Sequence, residues 1–319
     1  MANDFQQWYD HFTAKCRRNL RIHSEEWRLV LSETLGTFLL ISFGVGTIAQ
    51  TVLGSREAMP RGSIISVNLG WGLAVAMGIF AAGGASHGHI NPAFSLAQAQ
   101  RGALPWRHLP IYWAGQYLGA FLGSCAVYAV YYDALNHFDG GIRQVYGINA
   151  TAGIWATYPQ PHVTTVEAFV DQCFATGLLV LMALAITDNC NMEVAKGSVA
   201  LSVGSVVTVL TIAFEYNCGA ALNPARDLSP RIFTMIAGWG LEPMTFRNGN
   251  WFWVPIIGPH IGGIIGAFVY DVCIGMHLPS NEQNATENLD ENGGKVMCKI
   301  DDENQMESFQ LMSVDNAVL

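Results

Sequence analysis

An all-α membrane fold, with six transmembrane helices and two re-entrant half-helices in an inverted 3+3 repeat, is predicted by three observations. Hydrophobic residues are 51% of the 319 and charged residues only 13%, crowded at the ends and in a few connections; a soluble domain carries about 25% charge. Asn-Pro-Ala occurs twice, at 91–93 and 223–225, each time between long apolar segments. Glycine ladders and an acidic residue recur at matching places in the two halves.

The spans fall at residues 30–51, 64–84, 108–131, 166–186, 197–214 and 251–276, each close to the roughly 20 apolar residues that cross a bilayer. The fourth carries Glu167 and Asp171, and Glu215 cuts off the fifth. Proline suits the first position of a helix and a preceding Asn caps it well. Asn91-Pro92-Ala93 and Asn223-Pro224-Ala225 therefore each start a helix abruptly, one running to about residue 100 before Arg101, the other to about 235 before Gly238. Some ten residues at 1.5 Å each cover about half the hydrocarbon thickness, so two half-helices entering from opposite sides meet near the middle. Irregular backbone at that depth survives only where it is buried in protein or lines a water-filled cavity.

The third span carries Gly115, Gly119 and Gly123, and the sixth carries Gly258, Gly262 and Gly266. Small residues four apart let helix backbones approach closely in lipid. Each half also opens with an acid, Glu33 in Ser-Glu-Thr-Leu-Gly-Thr-Phe and Asp171 in Asp-Gln-Cys-Phe-Ala-Thr-Gly. With three spans per half, the second copy sits upside down, which places the functional site at the repeat interface near the midplane.

The chain divides into residues 1–28, a cytoplasmic N-terminal segment; 29–279, the membrane domain; and 280–319, a disordered cytoplasmic tail. Within the domain the first repeat spans about 29–135, an outer loop 136–163, and the second repeat about 164–279. The segment before Arg28 has no apolar run, so no cleaved signal peptide is expected and the first span directs insertion. Lys15, Arg17, Arg18, Arg21, Arg28, Arg101, Arg107 and Lys196 fall on one side of a six-span topology, against Arg56, Arg61, Arg143 and Arg247 on the other; the positive-inside bias makes the first side cytoplasmic. Asn149-Ala150-Thr151 is then an outer N-glycosylation acceptor, whereas Asn284-Ala285-Thr286 lies in the inner tail. Much of the net charge of −9 belongs to that tail, which reads as a solvated segment, or as a binding segment for a regulatory partner. The balance does not favour nucleic acid. Seven cysteines without paired spacing imply neither a disulfide framework nor a metal site.

Two helix N-termini aimed at one place each present about half a positive charge and free N–H groups. Cations and protons are repelled there, while a neutral hydroxylated molecule exchanges hydrogen bonds along the way. Asn91 and Asn223 are expected to cap their own helices with the side-chain oxygen and to leave the amide hydrogens for whatever passes. The Gly-containing stretches before each Asn are expected to run non-helically and present backbone carbonyls. Arg226 is the only cation directly following either box, and a buried Arg at membrane depth is a functional candidate by default; the structural alternative is a helix-start cation held by neighbouring Asp227.

These motifs resemble the major intrinsic proteins of the aquaporin superfamily, and more closely its aquaglyceroporin branch. The resemblance covers roughly residues 32–279. Two Asn-Pro-Ala boxes within six spans are very specific; one alone is weak. Aquaglyceroporins typically carry the features found here as Asp227 and Arg231, Tyr131, and the pair Pro255 and Ile256, and similar wording around Ala156-Thr157-Tyr158-Pro159. Asp227 is expected to pair the basic groups at the outer mouth and widen it. The resemblance implies a selectivity filter at Trp71, Thr211, Ala220 and Arg226, with Arg226 donating to solute hydroxyls and Trp71, twenty residues before Asn91, packing on the carbon chain. A Trp is also an ordinary packing and interface residue. Ala220 stands where some glycerol channels place a bulky aromatic, so urea and other small uncharged solutes become candidates.

Two further positions depart from the family. His87 stands where Gly is usual, and Glu215 where a small residue is usual. His87 either points into a polar crevice or, with the family-typical His89 near Glu33, acts as a gate between pH 5 and 8. Glu215 receives no assignment. The resemblance implies a homotetramer with one pore per protomer, no cofactor and no covalent step, in the plasma membrane. The expected function is a passive channel for glycerol and water, with urea as a further solute and ions and protons excluded. The alternatives are a water-selective channel with little glycerol flux, or a secondary transporter, which the uncharged Asn pair disfavours. An integral-membrane enzyme built on a His87–His89 metal pair lacks a third ligand at suitable spacing. A structural membrane protein on the same fold would show no flux.

Overall fold

Sequence-encoded helix starts and stops account for most of the architecture. The computed structural model describes residues 2–279 and, among them, is all-helical. The helices are α1 (Ala2–Leu20), α2 (Glu25–Leu53), α3 (Ile64–Ser86), α4 (Pro92–Gln100), α5 (Leu109–Asp139), α6 (Thr165–Thr187), α7 (Val199–Phe214), α8 (Pro224–Thr234), the single turn α9 (Glu242–Thr245) and α10 (Val254–Cys273). Six are the expected spans and α4 and α8 the expected half-helices. The protein is a multi-pass integral membrane protein. The tail from residue 280, with Asn284-Ala285-Thr286, lies outside the described residues.

Five spans are long and apolar enough to cross a bilayer, while α7 has only 16 residues and covers about 24 Å. Others overrun their apolar stretches. Ser24 caps α2 by accepting from Trp27 N, with Glu25 and Glu26 in the first turn, where acids complement the dipole. That start lies ahead of the apolar segment. α5 likewise continues through polar residues to Asp139 and stops at Gly140, whose φ of 69° is left-handed and costs a glycine little.

One element was not foreseen. Residues 2–20 form α1, with Phe5, Trp8, Tyr9 and Phe12 exposed along one side. Their three- and four-residue spacing is the signal that an absent apolar run conceals.

The repeat is visible in the packing. α2 lies along α5, and α6 along α10. The two glycine ladders are these interfaces. A Cβ at Gly115 would fall 2.7 Å from Val30 O and one at Gly123 2.9 Å from Phe38 O, while one at Gly258 would fall 2.9 Å from Gln172 Cβ. Each half-helix rests against the last span of the other repeat, α4 on α10 and α8 on α5. The halves are thereby interlocked, and the beginnings of α4 and α8 face each other.

The connection after α5 leaves the surface part-way along. It folds inward through a short turn at Ala152–Ile154, and Trp155, fully buried, packs among Tyr128, Phe233 and Trp239.

Candidate functional site

The site begins with the two Asn residues. Asn91 Oδ1 accepts from Ala93 N at 2.9 Å, and Asn223 Oδ1 accepts from Ala225 N at 3.0 Å and Arg226 N at 3.2 Å. Each caps a helix whose first residue is Pro92 or Pro224. Neither amide is wholly free. Asn91 Nδ2 donates to Leu222 O at 2.9 Å, and Asn223 Nδ2 donates to Ile90 O at 2.7 Å. This corrects the expectation that both amides serve only the solute: one hydrogen of each ties the repeats together, because a buried carbonyl ahead of the opposite helix needs a donor. One N–H per Asn remains.

The backbone before each Asn is irregular. His87, Gly88 and Ile90 have φ of 63°, 67° and 44°, and Gly219 and Leu222 have 71° and 54°. Buried side chains hold these bends. Glu33, fully buried, accepts from Ser86 Oγ at 2.5 Å, His89 N at 3.0 Å, Ile90 N at 2.7 Å and Gln116 Nε2 at 2.7 Å. In the second repeat Asp171 and Gln172 share the matching support. Gln172 is fully buried, accepts from Leu222 N at 3.3 Å and donates to Gly219 O at 2.8 Å. Asp171, one position earlier, is only half-buried and accepts from Asn217 Nδ2 at 2.9 Å. Asp171 also accepts from Cys218 Sγ at 3.4 Å, so the two neighbours hold successive parts of the same loop.

Two cavities meet end to end at the start of α8. One runs from Thr187 and Val199, past Gly88, His89 and the two Asn residues; the other opens between Ile64, Gln160 and Tyr216. Trp71, Thr211, Ala220 and Arg226 are the four residues that line both. They are the four expected filter residues, brought from α3, α7, the loop before α8, and α8 itself. The Arg226 guanidinium lies 4.2 Å from the centre of the Trp71 ring, and its Nη1 donates to Trp155 O at 3.0 Å. Its Nε is buried with no partner. Opposite the carbonyls and amides, the first cavity is apolar, with Leu40, Val75, Leu179 and Val207.

Arg226 makes no ion pair among the described residues, which corrects the alternative of an Arg held by Asp227. Asp227, fully buried, pairs with Arg231 at 2.8 Å and accepts from Thr157 N at 2.8 Å and Thr157 Oγ1 at 2.6 Å. Arg231 donates to Thr157 O at 2.6 Å and Pro243 O at 3.0 Å, and Trp251 Nε1 donates to Thr157 O at 2.7 Å. The pair pins the inward-folded connection whose Trp155 carbonyl holds Arg226.

Residues 21–270 match the Major intrinsic protein family. The chain belongs to that family. It is 46% identical to "Aquaporin-10" of Milnesium tardigradum over 287 residues, 86% of this chain and 69% of that one. It is 45% identical to "Aquaporin-9" of Homo sapiens over 264 residues, 82% of this chain and 88% of that one. Its fold superposes on the X-ray structure of the aquaglyceroporin from Plasmodium falciparum with a TM-score of 0.70 at 30% identity, covering 79% of this chain and 98% of that one.

Several residues of this major intrinsic protein sit away from the cavities. Tyr131 packs at the edge of the core, and Pro255 and Ile256 form the first turn of α10; none of the three lines either cavity. His87 is exposed and ends α3, whereas His89 lines the first cavity with Nδ1 3.1 Å from Ser95 Oγ and its ring against Phe94 and Tyr112. Glu33 bonds the His89 backbone and neither imidazole. Asn149 is half-buried, and its Oδ1 accepts from Arg56 Nη2 at 2.8 Å. Trp155 and Gln172 had no assignment in the sequence. Periodicity does not describe an inward-folded loop, and an uncharged Gln beside an acid on α6 carries no signal of its own.

Proposed function

We propose that this chain is a passive channel that conducts glycerol and water, and also urea, while excluding ions and protons, with no covalent step. The observation that carries this reading is the junction of the two cavities at Trp71, Thr211, Ala220 and Arg226. A solute there meets a wall in which the Trp71 ring and the Arg226 guanidinium lie against each other, an apolar surface beside hydrogen-bond donors. Glycerol matches such a wall, carbons to the apolar side and hydroxyls to the donors. Further in, it exchanges hydrogen bonds with carbonyls and with the remaining Asn91 and Asn223 hydrogens. An ion has no such exchange: a cation faces Arg226 and the positive ends of α4 and α8, and no described carboxylate lines the first cavity to replace its hydration shell.

The side chain at 220 is a methyl, which leaves the junction open on that side and supports urea as a further solute. The basic residues on the side of the chain ends support cytoplasmic termini, and the Asn149 acceptor on the opposite side supports N-glycosylation and a plasma-membrane location. Exposed apolar faces on the spans are compatible with a homotetramer carrying one pore per protomer.

The test is stopped-flow light scattering on proteoliposomes, comparing osmotic water flow with glycerol and urea influx in wild type and Trp71→Ala. Glycerol influx well above that of empty liposomes, altered by the substitution, is the expected result. Water flow without glycerol influx would assign a water-selective channel instead.

A further inference from the structure

One acidic residue in the vestibule is unused by the reading above. Glu215 ends α7, four residues and so about one helical turn beyond Thr211. On the facing helix α3, Asn68 stands three residues, again about one turn, beyond Trp71. The two residues therefore stack directly over two members of the junction, on the side away from the Asn-Pro-Ala boxes. Both line the vestibule cavity, whose floor includes Arg226. Asn68 is buried beside Glu215, and turning its amide so that the nitrogen faces the acid satisfies both groups: it would then donate to Ile64 O at 3.2 Å and to Glu215 Oε2 at 2.5 Å. Among the described residues Glu215 and Arg226 form no direct ion pair; their charges act on each other across the vestibule, and hydrogen-bonding capacity on each stays open to a solute.

We propose that Glu215, oriented by Asn68, forms a second recognition ring one turn outside the filter, which accepts hydroxyl or amide hydrogens from small polyols and urea. The proposal deepens the glycerol-channel reading and rests on it. A carboxylate offers about four lone-pair sites; Asn68 occupies one and leaves the others for what enters the vestibule. Arg226 only donates, and Glu215 only accepts. A solute passing between them is favoured if it carries both kinds of group at two points on a short skeleton. Glycerol and urea do. Water also donates and accepts, but through a single oxygen, so one molecule makes fewer contacts there than a polyol does. The ring thus replaces part of the hydration shell of a polyol before the filter strips the rest, and it favours polyols over water by the number of hydrogens they can donate.

The experiment uses the full chain in proteoliposomes and measures water, ethylene glycol, glycerol and urea permeability by stopped flow for wild type, Glu215→Gln and Asn68→Ala. Charge-assisted hydrogen bonds are roughly twice as strong as neutral ones, so Glu215→Gln is expected to lower the glycerol-to-water permeability ratio about fivefold. Asn68→Ala, which leaves the carboxylate unaimed, is expected to lower it in the same direction. Ethylene glycol, with fewer hydroxyls, should be affected less than glycerol. Unchanged ratios in both variants, or an equal fall of water and solutes alike, would overturn the ring while leaving a wild-type glycerol channel intact. Wild-type protein passing water but no glycerol would overturn both. If Glu215→Gln does not fold, the Asn68→Ala ratios decide the matter.

Discussion

Removing the acid of the Asp227–Arg231 pair tests whether the pair holds the filter together through the inward-folded connection. Both side chains are completely buried. In Asp227→Ala, Arg231 keeps the carbonyls of Thr157 and Pro243 but loses its counter-charge. Breaking a buried pair by deleting one partner costs about 3–5 kcal/mol, because the remaining charge stays desolvated. That is roughly a hundred- to several-thousand-fold in the folding equilibrium. Thr157 N and Oγ1 lose their acceptor as well, and these losses overlap rather than add. Asp227→Asn keeps an acceptor for Thr157 and should fall between wild type and Asp227→Ala. Unfolding of the detergent-solubilised protein, followed by size-exclusion chromatography after heating, gives the stability order. Glycerol influx gives the functional consequence, since Trp155, whose carbonyl orients Arg226, lies two residues from Thr157. An Asp227→Ala protein as stable as wild type, with unaltered solute ratios, would refute the anchoring argument.

Trp71→Ala removes the ring that faces the Arg226 guanidinium, a buried contact of about 2 kcal/mol, and should change the glycerol-to-water ratio measured by stopped flow more than it changes total protein yield. Gly262→Val puts a branched side chain against the backbone of Cys173; overpacking costs typically about 1–3 kcal/mol, and the variant should unfold at a lower temperature in detergent than Ile261→Val, which trims the exposed side chain next to it. Asn223→Leu removes both the α8 cap and the donor to Ile90 O, so water and glycerol flux should fall together in proteoliposomes. A histidine gate predicts glycerol flux that varies between pH 5 and 8 and loses that variation in the double variant His87→Ala, His89→Ala; flat wild-type flux over the range excludes it.

Much of the fold was legible because a bilayer leaves few choices: apolar length fixes the spans, and Asn-Pro at a helix start fixes where the half-helices begin. What stayed hidden depended on direction rather than composition. Asp171 was marked by its charge, whereas nothing in the sequence marked its uncharged neighbour Gln172, which the turn of α6 also brings onto the loop. Asp227 touches Arg231, four residues on and hence on the same face of α8, instead of adjacent Arg226. That partner was readable from helical spacing, and adjacency was the misleading signal. α1 was missed for a related reason: Phe5, Trp8, Tyr9 and Phe12 never form a run, yet they align when wound into a helix.

The junction itself is the hardest case for a sequence. Trp71, Thr211, Ala220 and Arg226 come from two spans, a loop and a half-helix, and no periodicity within any one of them marks the residue that reaches the pore. Arg226 was marked by its charge at membrane depth; only the resemblance selected the other three. The structure gives that selection a physical basis, because a residue can line both cavities only where they meet, and they meet just beyond the capped start of α8. The same reasoning carries outward to Glu215 and Asn68, one turn from two of these residues. Once the junction is located, helical spacing names what lies next along the path, so the vestibule becomes readable from the sequence although the filter was not.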